Sequence, residues 1–193
     1  MVLEHHKRYF DSIFQIPGFW DSPFLMFGFQ EMYGVPDFKT FLDRKGVKEV
    51  TVLDYSDERA DIYHDMNHPY PEIKNSYKVV CDIGCLEHVF NTYQCMKNLM
   101  DAVIVGGLYI IHTPVAGYIN HGFHTFNAKM LRWVLEHNGF SIEYAELSSK
   151  GGALMAEPKR DCLLWMVGRK IQPVEDFVFP IQERGNVIHK SFM

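Results

Sequence analysis

Tyr77-Lys-Val-Val-Cys-Asp-Ile-Gly84 runs into Cys85-Leu-Glu-His-Val-Phe-Asn91, and Gly106-Gly-Leu-Tyr-Ile-Ile-His-Thr-Pro114 follows after a segment of helical spacing. The spacing is carried by Tyr93, Met96, Leu99, Met100 and Val103, and it predicts a helix that closes at Gly106-Gly107. Two short apolar runs, 79–83 and 108–111, flank that helix, which is the sequence form of a parallel strand-helix-strand unit. Ligands in open parallel sheets sit at the carboxyl ends of the strands. The polar residues gather there: Asp82, Glu87 and His88 after the first run, and His112, Thr113, His121 and His124 after the second.

Working outward, the bulk composition fits one folded domain. The chain has 193 residues, 47% of them hydrophobic, so it can bury a sizeable core and is not a disordered polymer. A net charge of −5 with no cluster of Lys and Arg argues against a nucleic-acid partner, because phosphate binding needs grouped cations. No apolar run approaches the ~18 residues of a membrane span. Cys81, Cys85, Cys95 and Cys162 follow neither a disulfide nor a zinc-ribbon spacing, which predicts free thiols and a cytoplasmic protein. Cys81 in particular reads as a small apolar residue of a strand.

Before the central unit, Leu3, His6, Tyr9, Phe10, Ile13 and Phe14 form a partial helical stripe that stops at Pro17-Gly18. Phe19 and Trp20 then serve either a lid or the core. Residues 23–28 read as a buried first strand, 37–44 as a helix with an acidic start and a stop at Gly46, and 49–54 as a second strand. Only four residues, 56–59, separate that strand from the stretch 60–65, too few for a helical crossover, so a turn is expected there. After the central unit come a helix over 128–137 and two strands over 140–148 and 161–168, joined by a loop with Gly151-Gly152. That loop is expected to be flexible.

The segments Asp82-Ile-Gly-Cys-Leu-Glu-His-Val-Phe90, Gly106-Gly107, Thr113-Pro114 and His121-Gly-Phe-His-Thr-Phe126, with Asn138-Gly-Phe140 beyond, resemble bacterial class I S-adenosylmethionine-dependent methyltransferases. The likeness spans roughly residues 23–170. It implies an α/β, Rossmann-like seven-stranded sheet, mostly parallel with a terminal antiparallel hairpin. Residues 1–22 would then be a helical extension, which in such folds often covers the cofactor or shapes the acceptor pocket, and 171–193 an extended tail able to reach another subunit.

The resemblance implies S-adenosylmethionine as cofactor, held by Gly28, Gln30, Glu31, Asp54, Tyr55, Asp65, Met66, Asp82 and Gly84. Asp54, ending the second strand, would accept hydrogen bonds from both ribose hydroxyls, and Asp65 and Met66 would meet the adenine. The chain departs from the family where a Gly-x-Gly-x-Gly loop is usual: Gln30 and Glu31 stand between Gly28 and Gly34. His121, then His88, are the expected proton acceptors for a small-molecule or sugar-like acceptor. No residue is assigned as a metal ligand. Two further readings are a methyltransferase-like scaffold without catalysis and a metal-dependent enzyme built on Glu87, His88, His121 and His124.

Overall fold

The computed structural model describes residues 4–174 and 176–181. Residues 1–3, with Leu3 of the helical stripe, and 182–193, with most of the expected tail, lie outside the described residues.

Eight strands form one sheet in the order β3-β2-β1-β4-β5-β8-β6-β7. They are β1 (Phe24–Phe27), β2 (Val50–Asp54), β3 (Ile62–Tyr63), β4 (Tyr77–Ile83), β5 (Val103–Ala116), β6 (Phe140–Ser149), β7 (Leu154–Met155) and β8 (Cys162–Lys170). The first five pair in parallel; β8 runs antiparallel to β5 and to β6. The architecture is the expected Rossmann-like one, but with eight strands instead of seven. The additional strand is β7, which arises inside the Gly151-Gly152 loop and pairs with Leu147 and Ser148.

Strand alternation sends side chains to two packed faces. Leu25, Phe27, Val80, Tyr109 and Ile111 face one layer with α3 (Thr92–Ala102) and α4 (Ala128–His137). Phe24, Met26, Val79, Cys81, Leu108, Ile110 and Trp165 face the other, under α1 (Lys7–Ile13) and α2 (Phe38–Arg44). Asp37 caps α2 by accepting from the Thr40 N–H at 2.6 Å, and Gly46 follows the helix at φ +98°. The helix over the central unit ends earlier than its spacing predicts. It stops at Ala102, and Val103-Ile-Val105 open β5 with a register shift against β4, because three β-branched residues favour extended backbone. Thr113 and Pro114, expected beyond the strand, are inside β5.

Buried Lys170 closes the other end of α3, donating to the Met100 carbonyl at 3.0 Å and also to the Val103 carbonyl, a cation at a helix carboxyl end. The N-terminal helix lies on the sheet face under β5 and β8: Tyr9 stacks on Trp165 with centroids 5.1 Å apart, and its hydroxyl donates to the Gly152 carbonyl at 2.9 Å. That bond ties down the loop expected to be flexible. Phe19 is buried in the same layer and Trp20 packs against it. The described tail returns to its own chain, where Phe179 meets Tyr93 at 4.2 Å and Val178 exchanges two hydrogen bonds with Asn138.

Candidate functional site

The sheet order reverses between β1 and β4, and such a switch point leaves a crevice at the strand carboxyl ends. A cavity of about 420 Å³ lies there, within the ~300–1,000 Å³ of small-molecule sites. Phe27 and Gly28 come from the end of β1, Asp54 and Tyr55 from β2, His64 to Asn67 from the stretch after β3, and Cys85, His88 and Val89 from the turn after β4. Six residues singled out from sequence line it: Gly28, Asp54, Tyr55, Asp65, Met66 and His88.

Gly28 has φ +77°, and a Cβ there would stand 2.1 Å from the Cys85 sulfur, so only glycine fits. The chain then turns away from the cavity. Gln30 is buried and donates its amide to the Cys85 sulfur at 3.4 Å, while Glu31 is exposed outside the cavity lining. Where the family carries glycines, this chain packs a glutamine against a thiol. Burial raises the Cys85 pKa well above the ordinary thiol value, which keeps the sulfur protonated and unreactive.

Asp54 is already engaged. It accepts from the backbone N–H groups of Phe29 at 3.0 Å, Ser56 at 2.9 Å and Asp57 at 3.1 Å. A carboxylate offers about four acceptor positions, so one remains. Asp65 accepts from both the backbone and the side-chain nitrogen of Asn67, and the backbone bond leads in holding its pKa low and the carboxylate charged. His64, which sequence reasoning missed, stacks on Tyr70 at 4.1 Å and presents its ring to the cavity.

Asp82 does not line the cavity. It is fully buried below it, accepting from the Cys85 and Leu86 N–H groups at 2.9 and 3.3 Å, and burial, then the nearby Glu87 carboxylate, pushes its pKa well up. Gly84, at φ +78°, turns the chain out of β4 beside Glu87. Glu87 is itself buried; it accepts from the Thr113 hydroxyl at 3.0 Å, and desolvation raises its pKa. His121 reaches the same carboxylate from the loop after β5, Nε2 to Oε1 3.8 Å, and its ring lies 5.0 Å from that of His88. The two expected proton acceptors therefore stand together, with His88 on the cavity side. His124 is turned aside, its Nε2 3.0 Å from the Phe90 carbonyl. Exposed Phe90 and Phe123 pack edge to face at 5.8 Å beside this group.

A parallel sheet closed by an antiparallel pair, with a switch-point cavity lined by acids, is the fold of class I S-adenosylmethionine-dependent methyltransferases. The chain is similar to 1,6-didemethyltoxoflavin-N1-methyltransferase of Burkholderia thailandensis, solved with 1,6-didemethyltoxoflavin and S-adenosylhomocysteine, at TM-score 0.60 and 13% identity over 88% of this chain and 79% of that one. It is similar to a SAM-dependent methyltransferase of Archaeoglobus fulgidus at TM-score 0.58 and 12% identity, over 86% and 95% of the two chains. The [4+2]-cyclase SpnF shares the fold as well, at TM-score 0.55 and 14% identity over 78% and 74%. No protein-family model matches the chain, and no curated protein does. Among the described residues, no helix is long and apolar enough to cross a membrane.

Proposed function

We propose that the chain is a cytoplasmic enzyme that binds S-adenosylmethionine in the switch-point cavity and methylates a small-molecule or sugar-like acceptor at the Glu87, His88 and His121 group. The observation that carries this reading is the convergence of Gly28, Asp54, Tyr55, Asp65, Met66 and His88 on one cavity in a methyltransferase fold. The residues fit the cofactor. Asp54 retains one acceptor position for a ribose hydroxyl, Met66 offers a soft apolar wall for a flat ring, and the lining carries carboxylates without Lys or Arg, which suits a cationic sulfonium.

When bound, the cofactor supplies an electrophilic methyl group. The chain's own task is then to position an acceptor and take its proton. His121, held against the Glu87 carboxylate, is the first acceptor of that proton and His88 the second. Gln30, Asp82 and Gly84 stand around the cavity without lining it, and Glu31 is exposed outside it.

The non-catalytic scaffold reading is separated by one experiment. Thermal denaturation with S-adenosylhomocysteine should raise the melting temperature in a concentration-dependent way, since a ligand of the native state stabilises it. No shift at millimolar ligand would favour the scaffold.

A further inference from the structure

We propose that Glu87, His88 and His121 form a binding site for a divalent transition-metal ion, with one carboxylate and two imidazoles as protein ligands. One ligand atom from each residue lies within 4.8 Å of the others. Of the four residues grouped from sequence, the fold brings Glu87, His88 and His121 together and turns His124 aside.

The approach of His121 is built into the backbone. Phe123 and His124 both donate their N–H groups to the Glu87 carbonyl, at 2.9 and 3.2 Å, which pins the returning loop onto the turn after β4. Gly122 permits it: an added Cβ would stand 2.7 Å from the same carbonyl oxygen. The Thr113 hydroxyl holds Oε2 of Glu87, leaving Oε1 turned toward His121. A hydrogen-bonded outer partner of this kind fixes the orientation of a ligating carboxylate.

Charge points the same way. Asp82 and Glu87 are buried near one another, and among the described residues neither is paired with Lys or Arg. A divalent ion facing Oε1 of Glu87 would therefore meet no competing Lys or Arg among the described residues. The donor set selects the ion. Imidazole with carboxylate suits zinc, manganese or iron, whereas magnesium and calcium prefer oxygen ligands throughout. Tetrahedral ligands at ~2.0 Å from zinc stand about 3.3 Å apart, so the present 3.8 Å between Glu87 and His121 must close slightly. Both histidines are exposed, so solvent can complete the coordination of the ion.

Binding of the ion does not rest on methyl transfer, but its use does. Lying between the cavity that His88 lines and the rim of Phe90 and Phe123, it would hold an acceptor hydroxyl and make it more acidic. His121 would then be a ligand in the loaded protein and a base only in the stripped one.

The test is calorimetric titration of chelator-stripped, full-length protein with ZnCl2, MnCl2 and MgCl2, all without S-adenosylmethionine. One-to-one binding of zinc or manganese, with magnesium much weaker, is expected. His88→Ala and His121→Ala, both at exposed positions, should each weaken it by at least about tenfold; Glu87→Gln should do the same, and His124→Ala should not. Absence of saturable binding at 100-fold excess metal, or affinity unchanged in both histidine variants, would overturn the site. Because S-adenosylhomocysteine binding is read separately by thermal shift, failure of the metal site and failure of the methyltransferase reading are distinct results.

Discussion

His6 packs its imidazole against that of His112 with ring centroids 5.5 Å apart, and His112 in turn lies on Trp165 at 3.8 Å. The N-terminal segment thus meets the end of β5 through two buried histidines. Among the described residues, Nε2 of His6 and both ring nitrogens of His112 have no hydrogen-bond partner.

This contact makes stability depend on pH. Burial, then the neighbouring His5, lowers the His6 pKa from 6.5 to about 4, and burial drives His112 well below its ordinary value. The unfolded chain therefore takes up protons below about pH 6.5 that the folded chain refuses. Stability is complete above that pH and falls as pH drops toward 4, by on the order of 3 kcal/mol for His6 alone. Urea denaturation across pH 4–8 should show the slope, and His6→Phe should flatten it. A slope identical in His6→Phe would assign the effect to other groups.

Gly28→Ala should fold poorly and bind S-adenosylhomocysteine weakly, since its Cβ meets the Cys85 sulfur and its φ is +77°. A loss of ~1–3 kcal/mol is the scale for a strained, crowded position. Cys85→Gly in the same chain should recover part of the stability but not the strain. Native-like denaturation of the single variant would show that Cys85 has room to move aside.

The sheet was legible because its signals are local. The runs at 24–27, 50–54 and 79–83 are apolar and bounded, and α4 follows from spacing alone. The end of α3 was hidden by Val103, which extends the helical stripe as well as it opens a strand, and β7 by the glycines beside it. The cavity was partly legible through Asp54, whose position at the end of a strand carries the signal, and through Asp65, which only the family resemblance pointed to. The inward turn of Gln30 was not, and the meeting of His121 with Glu87 was offered only within one alternative reading, without the geometry that brings them to 3.8 Å. Each depends on a loop returning across the sheet edge, which no periodicity encodes; Gly122 between two aromatic and histidine neighbours was the available hint.

Lys170→Met should destabilise the chain by on the order of 1–3 kcal/mol, because the carbonyls of Met100 and Val103 lose a buried charged donor. Calorimetric melting checks this, and an unchanged melting temperature would mean that packing of the methionine compensates.

In chelator-stripped protein, His121→Ala should lower turnover ~10²–10⁴-fold once an acceptor is in hand, the scale of proton-transfer catalysis. S-adenosylhomocysteine affinity should stay unchanged, because His121 is outside the cavity lining. A fall in affinity equal to the fall in rate would place His121 in cofactor binding instead.

Asp54 and Asp65 both line the cavity, yet they should fail differently. Asp54 ties the N–H groups of Phe29, Ser56 and Asp57 into one turn, so it serves the fold before any ligand arrives. Asp54→Ala leaves three donors to find other partners and should cost on the order of 1–3 kcal/mol in ligand-free urea denaturation. Among the described residues the Asp65 carboxylate accepts hydrogen bonds from Asn67 and lies 3.8 Å from the His68 ring nitrogen, both close in sequence and near the surface, so Asp65→Ala should change ligand-free stability by less than about 1 kcal/mol. Both variants should weaken S-adenosylhomocysteine in calorimetry. If Asp54→Ala unfolds at the wild-type urea midpoint, its carboxylate is not the tie that holds the turn. If both keep wild-type affinity, the ligand lies outside this cavity. Loss of affinity in Asp65→Ala at unchanged stability is the informative outcome, because it separates a contact with the ligand from damage to the frame that presents it.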